Sequence, residues 1–104
     1  MSDDKRHSPR VPYLCEVACD MFTGDLPQTY RLSDISVEGA FIEALVELPA
    51  GSRLGLRFQI GDHKVQAKAV VTQAMPHFGM GVRFTEISDE DRAAIERLVR
   101  ELGG

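Results

Sequence analysis

The feature that most constrains this chain is a two-residue alternation of apolar and polar side chains. It is interrupted roughly every ten residues by Gly, Pro and Asp, and after Ser88 it gives way to a helical period of about 3.6. Val11, Tyr13, Cys15, Val17 and Cys19 alternate with Pro12, Leu14, Glu16 and Ala18, which predicts a strand over Val11 to Cys19. Pro12 has no N–H to give to a ladder, so it fits an edge or the strand's first residues. Phe22 to Pro27 reads as a turn. Strands are predicted next over Gln28 to Ile35 and Ala40 to Leu45, and Pro49-Ala50-Gly51 breaks the chain again. Arg53 to Ile60 alternates cleanly, with Leu54, Leu56, Phe58 and Ile60 on one face. Gly61-Asp62-His63 reads as a hairpin loop. Lys64 to Met75 turns Val65, Ala67, Ala69 and Val71 to one side, Pro76 stops it, and Gly79 to Phe84 is the last strand.

The stretch from Ser88 to Leu102 is helical by its signals. Ser88 with Asp91 three residues on resembles a capping box with Asp in place of Glu or Gln. Asp89, Glu90 and Asp91 suit the positive end of the helix dipole. Ile95, Leu98, Val99 and Leu102 form an apolar stripe, read as core packing, and Gly103 reads as the stop. About six antiparallel strands followed by one helix predict an all-β sandwich or closed barrel, with the helix burying Ile95, Leu98 and Leu102 against the barrel mouth.

At 104 residues the prior is one domain. The polar start is not a secretory leader, and no apolar run approaches the roughly 18–20 residues of a membrane span. A cytoplasmic chain without membrane insertion is the expectation. The formal net charge of −4 argues against a general nucleic-acid binder but leaves room for a local anion site. Cys15 and Cys19, four apart on one strand face, would stand ~13 Å apart at ~3.3 Å per residue, beyond disulfide reach. They read as reduced, packed thiols. His7, His63 and His77 share no ligand spacing, so no metal site is expected and all three read as surface or loop residues. No P-loop, nucleophile elbow or Cys–His pairing occurs, so no catalytic residue is assigned and an enzyme is not expected.

Two short motifs remain. RHSPR places Arg6 and Arg10 four apart, ahead of the first strand. Each guanidinium offers a planar fork of donors that fits a phosphate or the acceptor edge of guanine. The second motif is DISVEGAFIE, from Asp34 to Glu43. If Asp34 to Ser36 is extended, Asp34 and Ser36 share a face while Ile35 packs inward. Asp34 accepts, Ser36 donates or accepts, and Gly39 permits a positive φ or close approach to a ligand. A solvated tail and a structural turn account for each motif taken alone.

Together, RxxxR followed by DxSxxG resembles the PilZ domain family. The PRVPY approach, LSDISVEGAFIE, LPAGSRLGLRF, GMGVRF and the final helix share the likeness, which runs from Lys5 to about Leu102. The resemblance implies a six-stranded antiparallel β-barrel (residues 11–104) with a C-terminal helix over about 88–102, preceded by a flexible segment, residues 1–10. It implies binding of cyclic di-GMP, with Arg6 and Arg10 on guanine edges and phosphates, Asp34 and Ser36 on guanine, and Gly39 leaving room. Lys5 stands where many members carry a further arginine, so one nucleotide or an intercalated pair are both open. The implied output is contact with an unidentified effector protein in motility or exopolysaccharide control, by a monomer or weak homodimer. The alternative is a PilZ adaptor that uses the barrel for protein contacts and binds no nucleotide.

Overall fold

The structure, a computed structural model, describes residues 9–20, 28–44 and 48–103. Lys5, Arg6, His7, the turn at Phe22 to Pro27 and Leu45 lie outside the described residues.

Six strands follow one another: β1 (Val11–Asp20), β2 (Gln28–Ile35), β3 (Gly39–Glu43), β4 (Arg53–Ile60), β5 (His63–Met75) and β6 (Gly79–Ile87). All neighbours pair antiparallel, and the sheet closes in the order β1-β2-β3-β6-β5-β4, with β4 returning to β1. The helix α1 (Asp89–Gly103) packs against β1, β4 and β5. Closure removes every sheet edge, which satisfies the backbone polar groups of a small sheet without a partner chain.

The alternation places the core as the sequence predicts. Val17 and Cys19 on β1, Leu54, Leu56 and Phe58 on β4, and Val65, Ala67, Ala69 and Val71 on β5 all point into the barrel and are buried. Ile95, Leu98 and Val99 of α1 join the same cluster, so barrel and helix share one core. Leu102 departs from the expected stripe. It is 52% exposed, and the fourth buried helical residue is Ala94 instead. Gly103 is the last helical residue rather than the first beyond it, and a Cβ there would press on the Val11 side chain.

The cap at Ser88 is half of the expected box. Ser88 Oγ accepts from the Asp91 amide at 3.1 Å, and the Arg92 amide bonds the Ser88 carbonyl at 2.9 Å. The Asp91 side chain does not close the box, because it turns to β5. It accepts from His63 Nε2 at 2.8 Å and from the Gln66 amide at 3.1 Å. His63 is therefore no free surface histidine: it begins β5, is partly buried, and ties that strand to the first turn of the helix.

Candidate functional site

The DxSxxG segment is the β2–β3 hairpin, and its shape follows from an irregularity that alternation does not reveal. Leu32 is fully buried, so strict alternation would send Asp34 inward and Ile35 outward. Between Leu32 and Asp34 the β2 register against β3 slips by one residue. The slip reverses the phase: Ile35 is fully buried, and Asp34 stands on the outer wall with its side chain 32% exposed. A second slip, in β1 between Pro12 and Cys15, lies beside the Pro12–Asp34 pair. Bulges of this kind re-aim single side chains. Here two of them bracket the one acid of the motif.

Arg10, one residue before β1, meets that acid. Its Nη1 donates to Asp34 Oδ1 at 2.7 Å, across 24 residues of sequence. Both partners of the pair are solvent-accessible, so it contributes only a fraction of a kcal/mol to stability, on the order of 0.2–1. Its interest lies in position. A permanent cation and an acceptor-only carboxylate stand side by side on the outside of the barrel.

Ser36 and Gly39 are engaged within the fold. Ser36 is 3% exposed, and its Oγ accepts from the amides of Glu38 and Gly39, each at 3.2 Å. Its own amide bonds the Gly39 carbonyl at 2.8 Å, closing the hairpin. The Glu38 carbonyl accepts from the Phe84 amide at 2.8 Å, which fastens the turn to β6. Gly39 does not have a positive φ; its freedom is used for close approach. A Cβ there would collide with the Val82 carbonyl oxygen of β6. The same happens in reverse at the other end of this ladder, where a Cβ on Gly79 would strike the Ile42 carbonyl. Both glycines are needed for β3 and β6 to approach at all. The bare backbone at Gly39 faces a neighbouring strand.

Around this hairpin lies an open hollow of about 700 Å³ lined by Arg10, Ser36, Glu38, Gly39, Thr72, Val82 and Arg83. It is on the outer wall; the barrel interior is filled. The structure thus brings together Arg10, Asp34, Ser36 and Gly39, four of the residues singled out in sequence, and adds Arg83 on β6, which no motif marked. Its signal is register: Arg83 is the residue directly opposite Gly39.

The thiols are unsuited to reaction. Burial pushes Cys15 up, partly offset by a hydrogen bond from the Gln59 backbone, and pushes Cys19 up to about 12; both are free. Among the described residues no three His, Cys, Asp or Glu side chains converge as a metal would need, and no helix is long and apolar enough to cross a membrane.

A closed six-stranded barrel with a helix packed on it, and a charged hollow at one hairpin of its outer wall, defines a small domain whose site is a surface and whose interior only supports it. The PilZ domain profile matches residues 4–101, and the chain belongs to the PilZ family. Three solved structures share the fold. The Bacillus subtilis inhibitor of motility MotI (DgrA) superposes with TM-score 0.80 at 16% identity, over 95% of this chain and 52% of that one. The PilZ domain of YcgR from Escherichia coli, with c-di-GMP, gives TM-score 0.72 at 16% identity, over 96% and 92%. The PilZ domain of CeSA from a cellulose-synthesizing bacterium gives 0.69 at 20% identity, over 93% and 100%. This chain therefore spans about half the length of MotI. No curated protein matches the chain.

Proposed function

We propose that this chain is a cyclic di-GMP receptor that transmits binding to a protein partner. The observation that carries the reading is the Arg10–Asp34 pair at 2.7 Å, which joins the two motif halves at the rim of one hollow. The pair offers a fork of donors beside a carboxylate that only accepts, complementary to the acceptors O6 and N7 of guanine and to its N–H edge. Arg6, the other guanidinium of RxxxR, and Lys5 belong to the same proposed site. Ser36 and Gly39 contribute by holding the hairpin in shape, and any direct contact from Ser36 requires its hydroxyl to leave the Glu38 and Gly39 amides.

The segment carrying RxxxR is the proposed moving part: ligand contacts would offset the conformational entropy of ordering residues 1–10. The likeness to an inhibitor of motility and to a PilZ domain from a cellulose-synthesizing bacterium suggests motility or exopolysaccharide synthesis as the controlled process. Isothermal titration with cyclic di-GMP tests the reading. Saturable binding at low-micromolar concentration or tighter is expected; no heat and no competition at high ligand concentration would reject it. One observation favours a second reading, a PilZ adaptor that binds no nucleotide: Ser36 and Gly39 serve the fold by themselves, so their presence does not require a ligand. The same titration separates the two.

A further inference from the structure

Arg83 is the cation lining the hollow that the motif pair leaves unused. It lies on β6 in direct register with Gly39, and Val82 and Phe84 on either side of it point into the core. It is thereby held facing outward, and it is exposed. Strand order sets its distance from the other cation: Arg10 and Asp34 belong to the β1–β2 side of Gly39, and Arg83 stands on the β6 side. Neighbouring strands lie about 4.8 Å apart, so the two cations flank the bare backbone of β3 from opposite sides.

Among the described residues Arg83 makes no ion pair and no side-chain hydrogen bond, although the exposed Glu38 lines the same hollow. Arg10 is already bonded to a carboxylate. Arg83 is therefore the guanidinium of the hollow whose charge is not committed, on a chain whose formal net charge is −4. An anion entering the hollow would find it without first breaking an existing pair.

We infer that Arg83 is a further ligand-binding residue, gripping a phosphate of the bound dinucleotide from the side of the hollow opposite Arg10. The inference rests on the cyclic di-GMP reading above. Phosphate is the chemistry that suits an unpaired, outward guanidinium whose plane no bonded acceptor fixes: a phosphate presents oxygens over a wide arc, whereas a base edge demands one alignment. Gly39 sets the spacing, because its missing side chain lets β6 close directly on β3 and so brings Arg83 against the hairpin.

The test is titration of cyclic di-GMP into the wild type, Arg83→Gln and Arg83→Lys at two or more salt concentrations, with melting curves as the fold control. Arg83→Gln is expected to bind about tenfold or more weakly, with a shallower loss of affinity as salt rises, because one screened charge contact is gone. Arg83→Lys should recover most of the affinity, since a phosphate accepts a point charge. Wild-type binding with Arg83→Gln unchanged overturns the inference and leaves the receptor reading intact. An Arg83→Lys variant as weak as Arg83→Gln overturns the phosphate role, because it would mean a planar contact to a base. A wild type that does not bind overturns the receptor reading, and this inference with it.

Discussion

Arg10 and Asp34 are 24 residues apart in sequence and 2.7 Å apart in space, and each is what the other would release to hold a guanine. The pair is exposed, so exchanging it for ligand contacts carries a small penalty. Arg10→Ala is expected to weaken cyclic di-GMP binding by about 1.5–3 kcal/mol, the scale of charge-assisted hydrogen bonds. Arg10→Lys should also bind poorly, because it lacks the fork. Calorimetry on the two variants decides; wild-type affinity in Arg10→Ala would remove Arg10 from the site.

Selectivity should come from Asp34. Cyclic di-AMP carries the same phosphates, so only the bases distinguish it. Adenine turns an unprotonated nitrogen toward an acceptor-only carboxylate and an amino donor toward a guanidinium, each mismatch costing roughly 1–3 kcal/mol. Competition binding should show cyclic di-GMP favoured by a hundredfold or more, Asp34→Ala losing affinity and Asp34→Asn keeping part of it. Equal affinities for the two dinucleotides would mean that the site reads phosphate alone.

Gly39→Ala should destabilise the fold itself. The added methyl meets the Val82 carbonyl, a backbone atom that moves only if β3 and β6 separate. Overpacking of this kind costs about 1–3 kcal/mol, and a rigid backbone puts it at the upper end. Urea denaturation measures it. A variant with an unchanged midpoint would show that the two strands can part freely at this point.

The His63–Asp91 contact predicts an acid-sensitive helix anchor. Partial burial pushes the Asp91 carboxyl up, but hydrogen bonds from His63 and the Gln66 amide outweigh it and hold Asp91 below its ordinary value. A carboxyl depressed in the folded state stabilises above its unfolded value, near pH 4, and loses that contribution as pH falls through the folded value. The stability difference between wild type and Asp91→Asn, about 1 kcal/mol near neutrality, should therefore shrink as pH falls below the unfolded value and vanish at the acid end. Chemical denaturation across that range checks it; a difference that persists at the acid end contradicts the assignment.

Ile95 and Leu102 share a stripe in sequence and part company in space. Ile95 is fully buried and Leu102 is half exposed. Ile95→Ala should cost about 2–5 kcal/mol, while Leu102→Ser should stay within about 0.5 kcal/mol of wild type. Thermal melts of both variants test the pair, and a large effect at Leu102 would mean that the last helical turn is covered in solution.

These contrasts mark how far the sequence carries. Alternation is uninterrupted over Arg53 to Ile60 and over Lys64 to Val71, so those faces can be read directly. An extended Asp34 to Ser36 turns Asp34 outward and Ile35 inward, as found, but Ser36 does not share Asp34's face: it is buried and bonded within the hairpin, and neither that turn nor the register slip before Asp34 leaves a mark in a pattern of apolar and polar letters. Helical period marks Leu102 as part of the stripe, but Ala94 and not Leu102 is the fourth buried residue of the helix, and period alone does not tell how deeply each residue of a stripe is covered. His63 with Asp91, and Arg83 with Gly39, are juxtapositions made across 28 and 44 residues, one by docking of the helix on β5 and the other by pairing of β3 with β6; His63 and Arg83 taken alone read as ordinary surface.

Gly39 and Gly79 clamp opposite ends of a single ladder, so the barrel itself requires the glycine of the DxSxxG motif before any ligand arrives. Selection for the fold alone keeps it, whatever happens to the ligand. In a lineage that gave up the nucleotide, Arg10 and Asp34 would drift while Gly39 stayed, and the motif would decay unevenly. The informative letters for recognising a surviving receptor are then the charged ones, and an alignment of relatives lacking Arg10 would show whether the glycine outlasts it.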